Sequence, residues 1–77
     1  MAAIVYFSKT AEDDQTIRYG FGSDQENMTR VLVVDKAGDR ARPEDGQEDY
    51  TYRKAAAKIL SIRRNRGTWP DRGMHVS

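Results

Sequence analysis

The chain contains no cysteine and a single histidine, His75, close to its end. Without thiols there is no disulfide framework, no thiolate metal site and no cysteine nucleophile. One histidine in a terminal segment cannot assemble a histidine-based metal centre. It also gives no serine a motif-placed base: Ser8, Ser23, Ser61 and Ser77 stand outside any Gly-x-Ser-x-Gly elbow. Long apolar runs are missing too. Met1 to Phe7 lacks a basic leader region, and its apolar stretch stops at Ser8-Lys9, too short for a secretory signal or a membrane span. The expected setting is the reducing cytoplasm, where the sequon-like Asn27-Met28-Thr29 is a chance match.

Other motifs fail by position. Gly20-Phe21-Gly22 opens like a dinucleotide fingerprint, but Gln25 takes the third glycine's place and no parallel βαβ unit follows. These glycines instead indicate a bulge, a bend or a close backbone approach. Asp24-Gln25-Glu26-Asn27 lacks the central glycine and the twelfth-position glutamate of a calcium loop. Glu12-Asp13-Asp14 and Glu44-Asp45 with Glu48-Asp49 read as solvated loops, since nothing nearby would raise a carboxylate pKa for acid–base work. The sequence therefore points to no catalytic residue, no metal and no cofactor, and to a protein that is not an enzyme.

What is present is a strong helix signal over residues 48–66. Tyr52, Ala55, Ala56, Ile59, Leu60 and Ile62 fall in one arc of a helical wheel, with Arg53, Lys54, Lys58, Ser61, Arg64 and Asn65 opposite. Asp49 suits the N-cap, Gly67 a left-handed stop, and Pro70 prevents resumption. Ahead of it, Ala3 to Ser8, Thr16 to Gly22 and Arg30 to Asp35 have strand composition, with strict alternation in the second. Arg40-Ala41-Arg42 is a candidate fourth strand, ended by Pro43. Ser23-Asp24-Gln25-Glu26 fits a capping box, leaving a single helical turn or an irregular loop open.

The expected fold class is α+β: a three-stranded antiparallel meander, or four-stranded with Arg40–Arg42. One C-terminal amphipathic helix packs on one sheet face, in the order βββ(β)α. All 77 residues form one domain, with a core over 3–66 and an irregular tail over 67–77. The second sheet face needs cover, and two candidates offer it: Trp69, held extended by Pro70, or a second copy of the chain.

Charge is the remaining signal. Tyr50 to Arg66 carries six basic residues and no acid, whereas the rest carries seven basic and twelve acidic residues, a net of −5. Such a helix face often serves solubility alone. The favoured functional reading is a protein–protein interaction module that uses Arg53, Lys54, Lys58 and Arg64 against an acidic partner, with the spare sheet face or an edge strand serving self-association as a homodimer. The alternative is nucleic-acid binding, with Arg18, Arg63 and Arg66 added to the same face. Against it stand the net negative remainder and the lack of a ribonucleoprotein aromatic motif, although Tyr19-Gly20-Phe21-Gly22 has a similar flavour. No membrane partner is expected.

Overall fold

Local signals build the helix first. In the computed structural model, which describes residues 4–76, α1 runs Tyr50–Arg66. The Asp49 side chain accepts from the Tyr52 N–H at 3.0 Å, satisfying one of the orphan donors of the first turn. At the other end Gly67 adopts φ 75°, a left-handed conformation that suits glycine, and its N–H closes on the Arg63 carbonyl at 2.8 Å. Tyr52, Ala55, Ala56 and Ile59 are buried, while Leu60 and Ile62 pack half-buried against the core's rim.

The strands are β1 (Ile4–Glu12), β2 (Thr16–Gly22), β3 (Arg30–Asp35), β4 (Arg40–Pro43) and β5 (Arg72–Val76). They form one antiparallel sheet in the order β4-β3-β2-β1-β5. The α+β class and the antiparallel meander hold, and Arg40–Arg42 does pair as a strand. The count is five rather than three or four, because residues 72–76 of the segment expected to be irregular pair with β1. That strand's own alternation is confined to Met74 and Val76, too short to mark it in the sequence. It forms because β1 would otherwise present a bare row of backbone donors and acceptors. β1 also runs further than expected, to Glu12, with an irregularity between Lys9 and Ala11 that bends it into the next turn. Ala3, expected to open the first strand, lies outside the described residues, as does Ser77 of the tail.

The pleat sorts side chains into two faces. Val5 and Phe7 of β1, Ile17, Tyr19 and Phe21 of β2, and Leu32 and Val34 of β3 lie beneath the helix and form the core with its buried stripe. Aromatic rings lock this layer edge to face: Phe7 on Tyr19 at 5.9 Å and Phe21 on Tyr52 at 6.2 Å. The fully buried Tyr19 ring still satisfies its hydroxyl, which donates to the Pro70 carbonyl at 2.7 Å. Burial pushes that phenol up to about 12, so it stays a donor at ordinary pH.

Trp69 does not cover the second face. It packs half-buried against the core cluster, and the Arg63 guanidinium sits 5.2 Å from its ring. The Tyr19–Pro70 bond holds the chain there, too far round to reach the far side. The connection between β2 and β3 approaches that face instead, as an irregular turn held by Asp24, which accepts from Glu26 and Asn27. Glycine permits this approach: a Cβ on Gly22 would lie 2.6 Å from the Asn27 carbonyl oxygen, and one on Gly20 would lie 3.1 Å from that of Met28.

Candidate binding surface

The cations of the three central strands are already answered by acids. Lys9 bridges Glu12 at 2.8 Å and Asp71 at 2.9 Å, and Lys36 reaches Glu12 at 2.7 Å. Arg18 pairs with Glu44 on the sheet face away from the helix. Arg30 holds Asp45 at 3.0 Å and Asp49 at 2.8 Å while stacking on Phe21 at 4.7 Å, so it ties β3 to the helix cap. These contacts set the titration. The Arg30 guanidinium holds Asp45 and Asp49 below the usual carboxylate range, with backbone N–H donors from Gln47 and Tyr52 adding to it. Lys36 and then Lys9 lower Glu12, and the amides of Thr16 and Gln15 lower Asp13.

A depressed carboxylate contributes stability that is complete above its unfolded value and lost as pH falls through its folded value. The melting temperature is therefore expected to fall as pH drops below the ordinary values of 4.5 for glutamate and 3.8 for aspartate. Combining Asp45→Asn with Asp49→Asn should flatten that slope, and high salt should flatten it further because the groups are exposed. Thermal melts across the acid range check this. An unchanged slope in the double variant would remove Arg30 as its source.

The helix cations behave differently. Arg53 and Arg64 are exposed, Lys54 and Lys58 half-exposed, and none of the four has an acidic partner among the described residues. Lys54 lies 5.2 Å over the Tyr50 ring, which orients it without neutralising it. They do not form a single patch. Lys58, Ile62 and Arg66, spaced four residues apart, lie on the side of α1 toward β5. Lys58, Ile62 and Arg66 line a groove of about 410 Å³ whose other wall includes Asp71 and Gly73. On the opposite flank, Arg64 and Leu60 line a hollow of about 300 Å³ with Asp39, which tempers the charge there. The only acid lining the β5-side groove is Asp71, already paired with Lys9, so this is the more cationic flank.

The residues expected for nucleic acid scatter. Arg18 is on the far sheet face in its pair with Glu44. Arg63 is half-buried, stacked on Trp69 and donating to the Gly67 carbonyl, and its Nε is buried without a partner. Arg66 alone joins the helix groove. The sequence reading missed the contribution of β5, whose Gly73 and Met74 line both this groove and another of about 510 Å³ on the far sheet face, with Tyr6 and Met28. The available signal was the short stretch Arg72-Gly73-Met74-His75-Val76, in which Met74 and Val76 alternate with smaller or polar neighbours.

Among the described residues no group of three or more His, Cys, Asp or Glu is placed to hold a metal, and no helix is long and apolar enough to cross a membrane. What the surface offers is charge, a groove and an exposed strand edge. Compared with protein families, curated proteins and solved structures, the chain finds no match, so the reading of this surface rests on its own residues.

Proposed function

We propose that the chain is a non-enzymatic, cytoplasmic protein–protein interaction module that engages an acidic partner through the basic outer face of α1. The observation that carries this reading is the pattern of pairing. Acids neutralise Lys9, Arg18 and Arg30 of the three central strands and Lys36 of the turn after β3, whereas Arg53, Lys54, Lys58 and Arg64 have no such partner among the described residues. Arg40, Arg42 and Arg72 are likewise without an ion pair among those residues, but they are spread over the two edge strands. Charges presented this way steer a complementary surface and select against like-charged ones. The geometry favours this over nucleic acid, because two of the three additional arginines that reading needs, Arg18 and Arg63, are engaged within the domain. A phosphate backbone is better served by a continuous row of free cations.

The test sets a poly-glutamate peptide beside a short duplex oligonucleotide, following amide shifts of the labelled chain at low salt. Poly-glutamate is expected to move the signals of Arg53, Lys54, Lys58 and Arg64. Reversing two charges, Lys54→Glu with Lys58→Glu, should weaken the binding by roughly tenfold or more. Tighter binding of the duplex, weakening steeply with salt, would replace this reading with the nucleic-acid one.

A further inference from the structure

We propose that the outer edge of β5 receives an extended acidic strand of the partner, which adds to the sheet as a sixth strand beside α1. This rests on the acidic-partner reading of the helix and specifies how that partner is held.

The backbone phase of β5 supplies the first argument. The Lys9 N–H donates to the Asp71 carbonyl at 2.7 Å, and Phe7 and Val5 stand opposite Gly73 and His75. Bonded and non-bonded pairs alternate along an antiparallel ladder. Gly73 and His75 therefore spend their backbone groups on β1, while the N–H and C=O of Arg72, Met74 and Val76 point to the free edge. The opposite edge is closed by the same rule. The Glu44 N–H donates to the Val31 carbonyl at 2.8 Å, which leaves Ala41 and Pro43 as the outward residues of β4, and proline has no N–H. β4 thus offers one donor, and β5 offers three on a strand that has neither proline nor lysine to blunt it.

The flanks of β5 supply the second argument. Side chains of an added strand alternate between the two sheet faces. On the helix side they meet Lys58, Ile62 and Arg66, which line the groove together with Gly73. On the far side they lie beside Met74 and Val76, which are 50% and 55% exposed, and the groove reaching Tyr6 and Met28. The fitting segment carries acids at every second position and apolar residues between them.

Charge decides the occupant. A second copy pairing edge to edge about a two-fold axis normal to the sheet would keep both helices on one face. Lys58 and Arg66 of the two copies would then confront each other, a like-charge arrangement that costs affinity. An acidic strand reverses that sign. Nucleic acid has no alternating apolar side chains and no ladder of amides to match the edge.

Two capped peptides of one composition test the proposal, one alternating glutamate and valine, the other with the two residues in separate blocks. The alternating peptide is expected to bind on the order of tenfold tighter, since only it can satisfy both faces as a strand. Its binding should slow amide exchange at Arg72, Met74 and Val76 beyond any change at Gly73 and His75. Met74→Pro removes an N–H that the ladder phase turns away from β1 and that bonds nothing among the described residues. It should keep the melting temperature and abolish the preference between peptides. Should that variant melt early, the exchange pattern of the unaltered chain decides alone. Equal binding of both peptides, with shifts confined to α1, overturns the added strand and leaves the acidic-partner reading standing. Absence of binding to either peptide and to poly-glutamate overturns both. Concentration-dependent protection of the same three amides without peptide would show a second copy at the edge and overturn the proposal.

Discussion

Replacing Ile59 by Ala is expected to destabilise the domain by about 2–5 kcal/mol, the range for deleting a large aliphatic side chain from a closed core. Ile59 is 0% exposed and belongs to the single cluster formed by the helix and the three central strands. The helix reaches the sheet through few side chains, two of them alanines, so little else nearby can collapse into the space left behind. A domain of 77 residues has a total stability of only about 4–12 kcal/mol at typical per-residue values, so the loss is a large fraction of it. Urea melts should show the midpoint falling while the slope stays the same. Ile62→Ala, at a half-buried position on the groove side, should cost less. Equal costs at the two positions, or a melt of the Ile59 variant that matches the parent, would contradict the rotation of the helix about its axis.

Gly73→Ala is expected to cost about 1–3 kcal/mol through overpacking. A Cβ at that position would stand 2.7 Å from Cζ of Phe7 and 3.2 Å from its Cε2. The ring cannot retreat, since Phe7 is 1% exposed and is held edge-on against Tyr19. Either the ring leaves its place or β5 separates from β1, and the second route also strains the Lys9–Asp71 backbone bond. Urea melts measure the cost, and faster amide exchange at Gly73 and His75 would identify strand separation as the route taken. Adding Phe7→Leu should recover part of the loss in the double variant, because the two positions share one space. A variant as stable as the parent would show that the ring has room to move and that β5 does not depend on it.

These two positions differ in how well they could be read in advance. Ile59 follows from spacing: the apolar arc through Tyr52, Ala55, Ala56 and Ile59 lies within one helix, between a cap at Asp49 and a stop at Gly67 that the structure reproduces. Alternation in Thr16–Gly22 and the aliphatic run of Arg30–Asp35 likewise placed two strands and their buried faces. Gly73 looked like part of an irregular tail, because nothing local reveals that a phenylalanine sixty-six positions earlier lies over it. The same distance in sequence hid the true place of Trp69 on the core. It also hid the cover of the far sheet face, where two glycines of β2 admit the Asn27-Met28 backbone.

The charged surface divides along the same line. A helix rich in cations and free of acids is visible in the residue order alone. Which cations are neutralised is not, since Arg30 finds Asp45 and Asp49, and Arg18 finds Glu44, only when separate strands and loops meet.

By itself, then, the residue order determined the helix, its caps, its buried stripe and the antiparallel α+β class, because periodicity and capping act over a few residues. Only the tertiary structure decided the fifth strand, its free edge and the pairing that sets the β5 side of α1 apart as cationic. Those depend on backbone groups and charges brought together from opposite ends of the chain.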